Sequence, residues 1–186
     1  MTGSMSGEAG GVTVTLKPLL QIATREWARF HSFFRDREIA EWNGSGPLRM
    51  PLWLFKRVVI GEENAGERRG FAILTEDGTF IGSVELYDLT PSKPHQPQEA
   101  TLGIIIGDKG YWGRGYGTAA VRAAVRVGFE TLRLRSISLS TLSHNARARR
   151  AFEKAEFHLD GYRGNGVKRD ALYSLTREEW LALSPP

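Results

Sequence analysis

The segment Gly110-Tyr111-Trp112-Gly113-Arg114-Gly115-Tyr116-Gly117-Thr118 constrains the fold of this chain more than any other, with four glycines in nine residues. Before it, Ala100 to Ile106 is apolar and reads as a strand. After it, Thr118 to Leu132 reads as a helix with Val121, Ala124, Val125, Gly128 and Leu132 on one face and Arg122, Arg126 and Arg133 elsewhere. Glycines this dense in a strand-to-helix turn let several backbone N–H groups converge on one anion, with the positive end of the helix dipole behind them. No Lys-Ser or Lys-Thr follows the last glycine, so the loop is not a nucleotide P-loop. Nor is it the dinucleotide fingerprint, because the sixth position counted from Gly113 is Thr118 rather than glycine or alanine.

The rest of the chain supplies strands before this loop and alternating strands and helices after it. Residues 1–11 are small and Gly/Ser-rich without periodicity, and read as a disordered lead to a single domain over 12–186. Val12 to Leu16 alternates as a half-buried strand ended by Pro18. Trp27, Phe30, Phe34 and Ile39 recur at helical spacing within 20–42, and the run Asn43 to Pro47 stops that segment. A second helix is expected over 52–60, then a polar turn over 61–67. Strands follow at 70–74 and 80–86 around the turn Glu76-Asp77-Gly78, with a proline-rich loop over 91–97. Further strands are expected at 136–142, 157–162 and 171–175, with a helix at 146–155. This order predicts an α+β domain of three layers around a mixed sheet.

Composition removes several classes of function. The 186 residues include no cysteine, which excludes disulfides, thiolate metal sites and cysteine nucleophiles. His31, His95, His144 and His158 show no metal-ligand spacing, and Ser143-His144 has neither a nucleophile elbow nor a triad around it. The net charge of +4 suits an anionic ligand. Arg114, Arg122, Arg126, Arg133, Arg135, Arg147, Arg149 and Arg150 could serve nucleic acid, but no nucleic-acid motif accompanies them and most fall on ordinary polar helix faces. No apolar run reaches the roughly 18 residues of a membrane span and no secretory signal opens the sequence, so a cytoplasmic location is expected.

The stretch Leu102 to Thr118 resembles the acyl-CoA-binding motif of the GNAT superfamily of N-acetyltransferases, and within it the branch that includes the ribosomal-protein N-terminal acetyltransferases. The stretch His144 to Phe157 is similar to the second motif of that branch, where an Asn opens a helix ending in Glu-Lys-Ala-Gly-Phe. Arg169 to Leu175, then Glu178-Glu179-Trp180, resembles its closing strand and tail. The resemblance runs from about Val12 to Trp180. It implies a largely antiparallel sheet with helices on both faces and two splayed strands holding acyl-CoA. By position, Ile104, Ile105 and Ile106 would pair with the pantetheine arm, and the amides of Gly113, Arg114, Gly115, Tyr116 and Gly117 would hold the pyrophosphate, with Arg114 as countercharge. Asn145 would bond the arm while capping its own helix, and Arg149 would reach the nucleotide phosphate. Trp112, Thr118 and Phe152 complete the implied cofactor contacts.

Departures from the family pattern bear on the chemistry. The positions where this branch often carries Ser or Tyr to protonate the departing thiolate are Ala148 and Phe152, which have no proton to give. The glutamate often found two residues before the glycine of the cofactor strand is Thr101. Glu99 and Glu85 remain as candidate bases, with Glu99 preferred because it shares strand parity with Thr101. The chain therefore reads as an acetyl-CoA-dependent N-acetyltransferase of a primary amine, monomeric or homodimeric, needing no metal, membrane or nucleic acid. The alternative is a non-catalytic acyl-CoA-binding domain.

Overall fold

The computed structural model describes residues 5–89 and 99–183. The expected loop over 91–97, His95 and the first four residues of the lead lie outside them. Eight strands form one sheet: β1 (Met5–Ala9), β2 (Val12–Pro18), β3 (Arg68–Leu74), β4 (Phe80–Tyr87), β5 (Glu99–Ile106), β6 (Ser136–Leu142), β7 (His158–Arg163) and β8 (Asp170–Thr176). Their order is β1-β2-β3-β4-β5-β6-β8-β7. Every pairing is antiparallel except β5 with β6.

Helices cover both faces. On one, α4 (Tyr116–Arg126) and a π-helical turn (Val127–Thr131) bury Val121, Ala124 and Phe129 against Val84, Leu86, Leu102 and Ile137. On the other, α1 (Thr24–Arg35) and α3 (Leu52–Ala65) pack Trp27, Phe30, Phe33, Phe55 and Val59 over Ala72 and Phe80. The aromatic crowding of the first third is thus mostly core, with Phe30 in edge-on contact with Phe34 at 5.3 Å between ring centres. Two further helices are α5 (Ala146–Lys154) and the terminal α6 (Arg177–Leu183).

The N-terminal lead corrects an expectation. Met5–Ala9 is an edge strand paired with β2, not a disordered segment. Gly10 and Gly11, at φ +60° and +79°, make the two-residue turn that folds it back. A Cβ at Gly7 would lie 2.1 Å from the Ala119 carbonyl oxygen, so only glycine lets α4 seat on this strand. No alternating apolar pattern marks Met5–Ala9, because helix packing holds it rather than its own side chains.

The helical stretch expected over 20–42 is also divided. Asp36 is extended, and its Oδ1 accepts from the Ile39 amide at 3.1 Å, capping α2 (Arg37–Trp42). Lys109 Nζ lies 2.9 Å from the same oxygen. That ammonium and the Ile39 amide hold the Asp36 carboxyl below the usual aspartate range. Asp36→Ala is expected to cost about 1 kcal/mol from the lost cap. A depressed carboxyl stabilises only above its unfolded pKa, so the deficit against wild type should shrink as pH falls through the folded value. Urea unfolding at several pH values checks both points.

Candidate active site

The site is built by a divergence of two strands. β5 stays with β4 as far as Ile106 opposite Gly82, and β6 stays with β8 as far as Leu142 opposite Asp170. Between themselves β5 and β6 pair only at Glu99–Ser136, Ala100–Ile137 and Thr101–Ser138. Each strand follows its outer neighbour, so the twisted sheet opens between them. Leu102 to Ile106 on one wall and Ser140 to Leu142 on the other line a cleft of about 870 Å³. Ile104, Ile105 and Ile106 lie beyond the last β5–β6 pair and line the cleft, with the Ile106 carbonyl already taken by Trp112 Nε1 at 2.6 Å.

At the end of β5 the glycine loop enters the same cleft. Trp112, Gly113, Gly115, Gly117 and Thr118 line it. Gly113 and Gly115 have φ of +73° and +96°, and Gly115 opens α4 without a side-chain cap. The amides of residues 113–118 meet no acceptor among the described residues, as expected at an uncapped helix start. Arg114 and Tyr116 do not line the cleft. The Arg114 guanidinium donates to the Gly110 carbonyl at 3.3 Å and stacks on Tyr111 and Tyr116, outside the lining.

The third wall is α5. Asn145 is buried; its Oδ1 accepts from the Ala148 amide at 3.2 Å and its Nδ2 donates to the Trp42 carbonyl at 3.4 Å. Ala148 and Phe152 line the cleft and offer no proton. Arg149 is turned the other way. Its Nε donates to the Tyr173 hydroxyl at 3.0 Å, and that hydroxyl donates to Glu153 at 2.9 Å. Arg147 and Arg150 line the cleft instead. Arg149 is two positions from both Arg147 and Ala151, roughly 200° around the helix, so it cannot share their face. Helical spacing alone groups Arg147, Arg150 or Ala151, and Lys154 with Ala148, but which face of the helix meets the cleft is set by packing.

The candidate bases also separate. Glu85 of β4 sits opposite Gly103 and lines the cleft, with only 18% of its side chain exposed. Burial pushes its carboxyl up, while an ion pair with Arg68 opposes the shift. Arg68 also binds Glu62 at 2.6 Å. Glu99 does share a face with Gly103, but it lies four residues earlier, on the order of 13 Å along a strand. It is exposed where β5 is still paired with β6, and it does not line the cleft. Parity put it on the right face and at the wrong height. Thr101 is engaged with Asp88 at 2.9 Å. Sequence reasoning passed over Tyr87, which lines the cleft beside Glu85 and whose phenol is raised by burial; Phe34 and Trp42, from the aromatic-rich first third, also line it.

Among the described residues no group of His, Asp or Glu could hold a metal, and no helix is long and apolar enough to cross a membrane. Residues 14–158 match the family model described as acetyltransferase (GNAT) domain. A probable N-acetyltransferase of Bacillus subtilis, YjcK, is 32% identical over 108 residues, 58% of this chain and 58% of that protein. FsC-acetyl coenzyme A-N(2)-transacetylase of Aspergillus fumigatus is 27% identical over 128 residues, 63% of this chain and 52% of that protein. The chain thus covers little more than half the length of these relatives. Among solved structures, spermidine N-acetyltransferase from Vibrio cholerae with CoA and spermine superposes with a TM-score of 0.76 at 20% identity, over 90% of this chain and 98% of that one. Mycobacterium smegmatis RimJ with CoA-disulfide gives 0.75 at 18% identity, over 97% and 88%. A splayed pair of strands, a glycine loop with free amides at its mouth and a match across residues 14–158 give one conclusion: the chain belongs to the GNAT acetyltransferase family.

Proposed function

We propose that the protein transfers an acetyl group from acetyl-CoA to a primary amine by direct attack in a ternary complex. One observation carries this reading: a single cleft presents unsatisfied backbone amides at one end and a half-buried carboxylate, Glu85, beside its apolar wall. The amides of Gly113 to Gly117 hold the pyrophosphate, and the β5 edge at Ile104, beyond its pairing with β6, receives the pantetheine arm. Asn145 is positioned to bond that arm, and Phe152 gives it an apolar contact.

In the transfer the amine nitrogen attacks the thioester carbonyl carbon, the C–S bond breaks, and the sulfur leaves as thiolate. The amine proton passes to Glu85, directly or through a water, and the thiolate takes its proton from solvent. An amine must be neutral to attack. An α-amino group ionises near 8 and a lysine near 10.4, so the site favours protein N-termini or small amines of depressed pKa. The Vibrio cholerae relative acts on spermidine, which makes polyamines the second class to try.

Acetyl-CoA at a hundredfold excess over Kd should raise folding stability by about 2.7 kcal/mol, read as a thermal shift. Steady thiol release with N-terminal peptides, spermidine or other amines then identifies turnover. Ala148 and Phe152, without a hydroxyl on the α5 wall, support the second reading of a non-catalytic acyl-CoA-binding domain. A thermal shift with no thiol release across the panel would establish that reading in place of the first. No shift with millimolar acetyl-CoA would remove both.

A further inference from the structure

Arg147 is placed where stability alone does not put an arginine. It lies in the first turn of α5, where no acidic residue is present and the helix dipole disfavours a cation. Its guanidinium carbon is 3.8 Å from the ring centre of Trp112 and 5.5 Å from that of Trp42. The group is thus held between the loop after β5 and the end of α2. Burial disfavours its charge; Glu38 offsets this, but Glu38 is already bonded by Lys109 at 2.7 Å. Among the described residues Arg147 makes no hydrogen bond and no ion pair, and it lines the cleft. The unsatisfied amides of Gly113 to Thr118 border the same cleft, adjoining Trp112.

A cation clamped by aromatic rings, with free donors beside free amides, is a site for an oxyanion. We propose that Arg147 binds the phosphates of the acyl donor from the α5 wall, and that its contact with Trp42 passes the filling of the cleft to α2. Arg147, rather than Arg149 or Arg114, is then the side-chain countercharge. Because Trp42 ends α2 and also lines the cleft, a phosphate that fixes the guanidinium also fixes one wall of the acceptor end. The assignment rests on acetyl-CoA being the donor.

Titration calorimetry with CoA, dephospho-CoA and pantetheine on wild type, R147Q, R147K and R126Q tests it. R126Q removes an equal charge from the exposed side of α4. Loss of a charge-assisted hydrogen bond should weaken CoA binding to R147Q roughly 10- to 100-fold, leaving pantetheine unchanged. R147K should recover part of the loss, and R126Q should match wild type. If the pyrophosphate is the partner, dephospho-CoA weakens as much as CoA. If the 3′-phosphate is the partner, dephospho-CoA binds wild type and R147Q alike. Hydrogen exchange over residues 37–42 at saturating CoA should slow in wild type and not in R147Q. R147Q that binds CoA as tightly as wild type, or loses pantetheine equally, overturns the role of Arg147. Exchange that slows equally in both proteins removes the coupling to α2. Wild type that binds no CoA overturns instead the donor reading on which the assignment stands.

Discussion

Glu85→Gln is expected to lower kcat/KM by roughly 10²- to 10⁴-fold, the usual contribution of a positioned base. The amide keeps the shape and can still accept a bond from Arg68, so acetyl-CoA affinity should stay within a few-fold of wild type. Burial raises the Glu85 carboxyl, so below its shifted pKa the group is protonated and cannot take the amine proton. The wild-type rate should therefore rise with pH through a value above the ordinary glutamate range. That limb should vanish in Glu85→Gln, leaving only the ionisation of the acceptor amine. Arg68 opposes the shift, so Arg68→Gln should move the limb to still higher pH. Glu99→Gln should leave both rate and profile unchanged, since Glu99 stands outside the cleft. A Glu85→Gln enzyme with full activity at every pH would mean that the amine sheds its proton unaided.

Gly115→Val should abolish most of the thermal shift caused by acetyl-CoA, the second large effect. Two causes act together. At φ +96° a β-branched residue is strained, by about 1–2 kcal/mol or more. Its Cβ would also lie 2.8 Å from the Ala9 carbonyl oxygen and 3.2 Å from Val12, pressing the β1–β2 hairpin away from the loop. The amides at the start of α4 would lose their alignment and the apo protein would melt earlier. Gly113→Ala separates the causes, because nothing lies within 4 Å of its Cβ and only the backbone strain at φ +73° remains. It should keep more of the shift than Gly115→Val. Equal, full shifts in both variants would show that the loop does not hold the pyrophosphate.

The parts of the fold that sequence reading reached are those whose causes lie within a few residues. The strand at 136–142 and the helix from 146 came out at their observed starts, because alternation and the Asn145 cap are local devices. The break at Asp36 was missed although its cap is local, since the apolar spacing of Trp27, Phe30, Phe34 and Ile39 carries straight across it. β1 was missed because its support is α4, more than a hundred residues later in the chain.

The amino-acid sequence by itself determined the glycine loop, the capped second motif, and with them the family and the end of the cleft suited to a phosphate. Those features act through backbone amides, and neighbouring residues are enough to set backbone geometry. Only the tertiary structure decided which carboxylate and which arginine face the cleft. Glu85 rather than Glu99 follows from the β4–β5 register and from where β5 parts from β6. Arg147 rather than Arg149 follows from the phase of α5 against Trp112 and Trp42. Side chains far apart in sequence meet only through strand register and helix rotation, and neither is written in any short stretch of the chain.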